Sequence, residues 1–395
     1  YQASTVGSSG RAVVVTRSPL TDLYIDTYIG GNIGHVLRQA GWDGLFITGA
    51  SEHLCRLEIV DGQAELHDAR KLRGMTTWQV EQTLEDKGEC LSIGPAGENC
   101  VRIASPLTAG RRAAGRGGTG AAFGFKNLKA VTVKATTKEN IRFANHASLK
   151  SAIKVQRQEM GLRRRSGDPF YSFGTSRGPI YASENGRMPT ANYSSTNAMI
   201  PDFSELKVSG GKGGVVSSEG EPVSITTELD AYELSGEHWH ESLPDAKQSA
   251  CCAPCPIACE AADRPTIDGE KIRKRPIHID RVDRPEYETL AMLGANLGLT
   301  NSLDIMDGND ASNRLGIDTI SGGAALSIVC ELVQHGWLPD DWPDHFHAPF
   351  DFGRYKQGDI VPWQFGVPEL PPLALSMLAS AQPGTGDLFS TLASG

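Results

Sequence analysis

Three thiols fall within eight residues in the run Cys252-Ala-Pro-Cys255-Pro-Ile-Ala-Cys259. An iron–sulfur cluster takes one thiolate per iron, and short turns broken by proline aim several thiolates at one point. The run therefore reads as a cluster site with three ligands, and a fourth has to come from elsewhere. Cys251 precedes the run and opens a second ligand set with three-then-three spacing. A radical-type Cys-x3-Cys-x2-Cys reading fails, because position 258 is alanine.

The second chemical feature is Arg111-Arg-Ala-Ala-Gly-Arg-Gly-Gly-Thr-Gly120, which continues to Lys126-Asn-Leu-Lys129. Glycine lets backbone N–H groups approach a ligand, and arginine offers a planar, permanently charged fork that suits phosphate. Together they suit a phosphate-bearing cofactor. Gly115, Gly117 and Gly120 formally match the dinucleotide fingerprint G-x-G-x-x-G. Its context is wrong, because Gly124 and a strand follow too soon for a long helix. The P-loop pattern fails as well, since Phe125 rather than lysine follows Gly124.

Other rivals for chemistry are thin. His238-Trp-His240 and His345-Phe-His347 read as loop histidines rather than metal pairs. Cys55, Cys90, Cys100 and Cys330 stand alone in apolar contexts and read as small core residues. Eight cysteines, unevenly placed in 395 residues, do not form a secreted disulfide scaffold. A cluster-bearing chain implies a reducing cytoplasm. A net charge of −9 argues against nucleic acid or an anionic membrane as the main partner. No apolar run approaches the ~20 residues of a membrane helix, and no signal peptide is visible.

The elements that must position these groups change character along the chain. Residues 1–139 read as an α/β domain and residues 140–395 as a mostly helical one, with both ends cut. Residues 12–16 and 44–48 are short buried-strand candidates, with a glycine-closed helix between them. Residues 55–60 and 63–67 alternate around Asp61-Gly62, which predicts a hairpin with a type I′ turn. A helix over 77–87 is capped by Thr76 or Thr77, and 128–134 is another strand. Residues 146–165 are helical and basic. A polar insertion covers about 207–234, and helices follow over 287–298, 318–336 and 373–381.

At this point the chain resembles the tungsten-dependent aldehyde ferredoxin oxidoreductases. Four blocks carry the resemblance in order and spacing. They are Gly10-Arg-Ala-Val-Val-Val-Thr-Arg-Ser-Pro-Leu-Thr21; Ile93-Gly-Pro-Ala-Gly-Glu-Asn99 with Arg112-Ala-Ala-Gly-Arg-Gly-Gly118 and Lys126-Asn-Leu-Lys129; the cysteine run; and Pro285-Glu-Tyr-Glu-Thr289 with Asn313-Arg-Leu-Gly-Ile-Asp-Thr-Ile-Ser321. The resemblance implies a tungsten or molybdenum atom held by two pterin dithiolenes, a magnesium ion bridging the pterin phosphates, and a 4Fe-4S cluster close by. It selects Cys252, Cys255 and Cys259 as the ligand set. It implies that Arg11, Gly30, Arg112, Ala113, Gly115 and Arg116 contact the pterins. Asn313, Ile317 and Asp318 would do so from a loop that leads a helix. Glu288 matches the family's active-site glutamate. The implied reaction oxidises an aldehyde to a carboxylic acid, with electrons leaving through tungsten and the cluster to ferredoxin. A homodimer is a further expectation.

Departures from the family pattern are visible. Tyr28 stands about where the family places an asparagine before Gly30, and Asn313 replaces an aspartate. The subunit-bridging Glu-x-x-His motif reads Asp307-Gly-Asn-Asp310. The family's fourth cluster cysteine and its active-site histidine would lie beyond Gly395.

Overall fold

The computed structural model describes residues 6–7, 9–136, 143–165, 167–194, 206–208, 215–217, 231–242, 247–249, 255, 260–263, 282–299, 302–338, 346–349 and 356–381. The chain opens with strands β1 (Ala12–Arg17) and β2 (Tyr24–Ile29), which pair antiparallel from Ala12↔Ile29 to Arg17↔Tyr24. Helix α1 (Ile33–Gln39) follows. Strands β3 (Cys55–Val60) and β4 (Gln63–Asp68) form the expected hairpin. Helix α2 (Thr77–Thr83) is capped by Thr76, whose hydroxyl accepts from Gln79 N while the Gln79 side chain accepts from Thr76 N. Then come β5 (Glu89–Ser92), α3 (Pro95–Glu98), β6 (Leu107–Thr108), β7 (Arg112–Ala113), α4 (Thr119–Phe125) and β8 (Leu128–Lys134).

The main sheet has six strands in the order β4-β3-β8-β5-β6-β7. β3 and β8 run parallel and the other neighbours antiparallel. β8 is central, so its residues are buried on both faces up to Lys134. One face packs Leu91, Leu128, Val131 and Val133 under α1 and the β1–β2 hairpin. The other packs Cys90 and Ala130 against Leu72, Val80 and Leu84 around α2.

The second half is helical. Helices α5 (His146–Arg165), α6 (Pro169–Phe173), α7 (Gly178–Glu184) and α8 (Gly236–Ser242) are followed by α9 (Tyr287–Thr289), α10 (Ser302–Leu315), α11 (Thr319–Gln334) and α12 (Leu370–Ser380). Short strands at Leu206–Val208, Val215–Ser217, Lys247–Ser249, Glu260–Asp263 and Val282–Asp283 lie between α7 and α9. Directly after α9 the chain makes a π-helical turn, Leu290–Gly294, whose residues are all buried. Gly323 in α11 allows this approach, because a Cβ there would stand 2.3 Å from the Met292 carbonyl oxygen. The large helical core also takes in Ala96, Val101, Ile103 and Ala104 from the first half. The architecture is an α/β sheet domain followed by a mostly helical region, as the sequence reading expects.

Three local readings need correction. Residues 44–48 form no strand in any described sheet: Leu45 alone turns inward to pack, and Phe46 is 95% exposed. β1 is half-buried rather than buried, because Val13 and Val15 face outward on its alternating side. The β3–β4 turn has positive φ at Asp61 (49°) but not at Gly62, so it is not type I′, which needs both. Asp61 is instead tied to the neighbouring strand end. Its N–H donates to the Lys134 carbonyl, and its carboxylate accepts from Thr136 N.

Candidate functional site

The arginine turn is built by a tight hairpin. β6 and β7 pair Leu107↔Ala113 and Thr108↔Arg112 across the turn 109–111. Ala109 (φ 52°) and Gly110 (φ 63°) both take left-handed geometry there. The Thr108–Arg112 pairing aims Arg112 at the second half of the molecule, where its Nη1 lies 3.5 Å from Glu286 Oε1. Its side chain is only 11% exposed. Arg116 Nε lies 3.8 Å from Asp318 Oδ2, with the arginine open to solvent and the aspartate buried. A β-bridge between Ala104 and Ile317 brings the same two segments together. The turn thus sits where the sheet domain meets the starts of α9 and α11.

Several glycines beyond the turn serve packing. Gly118 caps α4 in left-handed geometry (φ 72°), with Arg102 O where a Cβ would be. Gly120 lies directly on the backbone of Ala104 and Ser105, and Gly124 on the Gly97 carbonyl. Gly115 differs, because a Cβ there would meet no atom within 4 Å. Its carbonyl is fixed by the Ser105 hydroxyl, which donates to it. The turn is therefore backed by protein on one side and open at Gly115.

Asp318 is the N-cap of α11 and accepts from Ile320 N and Ser321 N. Ile317 beside it is buried, and half-buried Asn313 gives its carbonyl to the Thr77 hydroxyl at 2.8 Å. Gly30 is buried at the end of β2, and Gly31 beside it would place a Cβ 3.0 Å from Thr108 Cγ2. Ala113 is half-buried in β7. Arg11 stands just before β1, at the end of the hairpin that leads to Gly30, and lines a cavity of about 1040 Å³ between β1, α1 and the sheet. Glu288 is exposed on α9, two residues beyond the Glu286 that meets Arg112. Glu286 is the residue that sequence reading passed over. The Glu-Tyr-Glu spacing offered both carboxylates, and only the tertiary approach of Arg112 separates them.

The first-half motif pieces turn out to explain one another. Lys129 is fully buried and makes an ion pair with Glu98 of α3, so the Gly-Glu-Asn and Lys-Asn-Leu-Lys pieces meet inside the protein. Lys126 Nζ donates to the Gly49 carbonyl at 2.9 Å. Asn127 takes left-handed geometry (φ 52°) and donates its amide to the Ser51 carbonyl. These lysines serve the fold, and the phosphate reading rests on the glycines and arginines alone.

The comparisons with known proteins bear on the whole chain. The model of the aldehyde ferredoxin oxidoreductase N-terminal domain matches residues 1–135, and that of domains 2 and 3 of the same enzymes matches residues 152–357. This chain belongs to the aldehyde ferredoxin oxidoreductase family. It is 31% identical over 353 residues to a tungsten-containing aldehyde ferredoxin oxidoreductase of Pyrococcus abyssi, covering 88% of this chain and 51% of that protein. A tungsten-containing aldehyde ferredoxin oxidoreductase of Pyrococcus furiosus is 29% identical over 96% of this chain and 54% of its own length. The chain thus spans about half the length of these curated relatives. An aliphatic sulfonate oxidoreductase, WOR-like subunit, of Pyrococcus furiosus is 26% identical over 82% of this chain and 48% of its own. Among solved structures, the active-site complex BamBC of benzoyl coenzyme A reductase shares the fold. Its TM-score is 0.65 at 20% identity, over all of this chain and 52% of that one.

The residues around the turn fit a phosphate-bearing pterin. Thr108 Oγ1 is buried without a hydrogen-bond partner, between Gly31 and Arg112. A buried hydroxyl left so is costly, and a polar ligand group bound between Gly31 and Arg112 would satisfy it. For the cluster, Cys255 is half-buried and in no disulfide, while Cys252 and Cys259 lie outside the described residues. Among the described residues no group of three His, Cys, Asp or Glu is placed to hold a metal.

The rival readings sort themselves by geometry. His238 and His240 lie on helix α8 rather than in a loop, where residues two apart do not face each other; His345 lies outside the described residues. Cys330 is buried in α11, and burial drives its thiol strongly upward in pKa, as it drives Cys90 up to about 12. Asp310 is engaged by Arg314 Nε at 2.6 Å, and Arg314 stacks over Trp78 at 4.5 Å. The residue at the bridging-metal position is thus committed to the α2–α10 contact. Among the described residues no helix is long and apolar enough to cross a membrane.

Proposed function

We propose that this chain is the pterin-binding and cluster-bearing part of a tungsten-dependent oxidoreductase that converts an aldehyde and water to a carboxylic acid, releasing two electrons and two protons. One observation carries the reading. Arg112 and Arg116 converge with Glu286 and Asp318 across the two family-matched regions, beside an open Gly115 and a buried hydroxyl that lacks a partner.

When bound, the tungsten bis-pterin would supply the two-electron chemistry, and a 4Fe-4S cluster would pass the electrons singly toward ferredoxin. The chain's part is to bind and orient. Arg112, with its buried fork, and Arg116 hold anionic pterin groups, assisted by magnesium if the phosphates share it. Ala113 and Gly115 offer backbone groups, Gly30 stands on the same side beside Thr108, and Asn313, Ile317 and Asp318 come from the second half of the chain. Glu288, exposed at the head of α9, handles a proton at the aldehyde carbon or the attacking oxygen. Cys252, Cys255 and Cys259 take three irons. The full-length enzyme works in the cytoplasm, as a homodimer.

The test is metal and pterin analysis of the full-length protein and its Arg112→Ala form. Tungsten or molybdenum with pterin in the wild type, and their loss in the variant, is the expected result. Full pterin occupancy in Arg112→Ala returns the turn to a surface role. Iron without tungsten or molybdenum favours a non-catalytic electron-transfer module. A second reading draws on the sulfonate oxidoreductase relative: metal-replete protein that ignores aldehydes but turns over a sulfonate belongs with it, whereas one that reduces an aromatic ring is a ring-reductase-type subunit.

A further inference from the structure

The loop beyond α7 is held in a conformation that its residues resist. Ala191, Asn192 and Tyr193 take φ of 44°, 50° and 62°, so consecutive residues with no glycine among them are left-handed. L-residues enter that region singly and at a cost. Backbone bonds supply part of the restraint: Ala191 N donates to Ala295 O at 3.0 Å, and Asn192 N to Asn296 O at 3.1 Å. A side-chain relay supplies the rest. Asn296 Nδ2 donates to Ser327 Oγ at 2.8 Å, Ser327 Oγ donates to Asn192 Oδ1 at 2.9 Å, and Asn192 Nδ2 donates to the Glu331 carboxylate. Asn296 and Ser327 are fully buried. Asparagine suits the centre of this relay, because it tolerates left-handed geometry and its amide both accepts and donates.

The loop's contacts reach the segment that follows Glu288. Tyr193 Oη donates to Met292 Sδ at 3.9 Å, in the middle of the π-helical turn Leu290–Gly294. Asn296 lies in the short turn Ala295–Leu297 that comes directly after it. A π-helical turn is a rare departure from the α-helix, and here it is held from two sides. On the other side Thr289 Oγ1 stands 3.1 Å from Thr319 Oγ1, next to Asp318. Glu288 is exposed at the head of this element, four residues before Met292.

We infer that Asn192 is a positioning residue: through Ser327 and Asn296 it clamps the left-handed loop onto the π-helical turn, and so fixes the direction in which Glu288 presents its carboxylate. The inference rests on the reading of Glu288 as the proton-handling group. Asn192 acts through the turn and not on the reacting atoms. A fully satisfied buried relay is rigid, and losing one member leaves the others without partners.

The experiment uses the full-length holoenzyme. Asn192→Gly removes the amide and keeps a residue at ease with positive φ, and Ser327→Ala cuts the relay in its middle. Hydrogen exchange read by mass spectrometry follows the turn directly. Turnover of acetaldehyde and of benzaldehyde is measured with a viologen dye as acceptor, alongside pterin and iron content. In both variants the amides of residues 290–297 should exchange about tenfold faster, the scale of one lost buried hydrogen bond, while those of β8 stay as in wild type. The kcat should fall about tenfold, part of the ~100-fold that a general acid–base group supplies, with KM and cofactor content unchanged. In a Glu288→Gln background the same substitutions should cost nothing further. Wild-type exchange over 290–297 in both variants overturns the inference, and so does an equal kcat loss in the Glu288→Gln background, which makes the relay merely structural. If Asn192→Gly does not fold, Ser327→Ala decides by the same readouts. Reduced turnover in Glu288→Gln beside wild-type turnover in Asn192→Gly sinks the positioning role alone. Normal turnover in Glu288→Gln sinks the proton-handling reading and the positioning role with it. A holoenzyme that oxidises neither aldehyde sinks the aldehyde reading, and the exchange data then decide the clamp.

Discussion

Lys129→Met tests whether the two halves of the second motif block are coupled by charge. The Lys129 side chain is 0% exposed and that of its partner Glu98 is 7% exposed. Nζ also donates to the Met75 carbonyl at 2.8 Å, and the Glu98 oxygens accept from Gly74 N at 3.1 and 3.0 Å. Burial pushes the Lys129 pKa down and Glu98 pulls it back, so the ammonium depends on that carboxylate. Methionine keeps the stem's volume but leaves Glu98 buried without its cation. Breaking a buried pair costs about 3–5 kcal/mol, and the remaining Gly74 N–H puts this case near the lower end, about 3 kcal/mol. With an unfolding entropy of ~2.1 cal/mol/K per residue, a chain of this length melting as one unit loses about 4 °C. Calorimetry and urea titration with an unchanged m-value read this directly. Lys129→Met/Glu98→Gln should recover at least half of the loss, because the amide still accepts from Gly74 without a buried charge. A single variant within ~0.5 kcal/mol of wild type, or a double variant no more stable than the single, would falsify the coupling.

Cys255→Ala in the full-length protein should abolish the visible absorbance of the cluster; an unchanged spectrum removes Cys255 from the ligand set. Glu288→Gln should lower turnover by about two orders of magnitude while pterin and iron stay bound, and normal turnover makes the residue structural. Gly118→Ala should destabilise by about 2 kcal/mol or more, because φ is 72° and the added carbon would sit 2.1 Å from Arg102 O; a neutral melting shift contradicts that geometry. Glu81 and Glu89 both have pKa values raised, chiefly by burial. The folded chain therefore binds more protons than the unfolded one between the ordinary carboxylate value and the raised one. Their contribution is full below the ordinary value and is lost as pH rises through the raised value. Glu81→Gln should flatten that fall, and an identical stability–pH curve rules out the assignment.

Much of this protein is determined locally and could be read from residue order. The Thr76–Gln79 capping box, the Asp318 cap and the alternation of β3 and β4 are short-range signals, so those elements could be read directly. The cysteine run and the glycine–arginine turn are local too, because short spacing limits where their donors can point. Tertiary structure alone decided which charges meet. Lys129 and Lys126 stand in the same motif block as Arg112, and only the fold shows that one is buried on Glu98 and the other anchors Gly49. Glu288 was the carboxylate that residue order marked, yet it is Glu286 that Arg112 approaches. Residues 44–48 have the composition of a strand, but pairing requires a neighbour that residue order cannot announce. A side chain's type fixes its chemistry, whereas its partner depends on which distant segment folding delivers within a few ångströms.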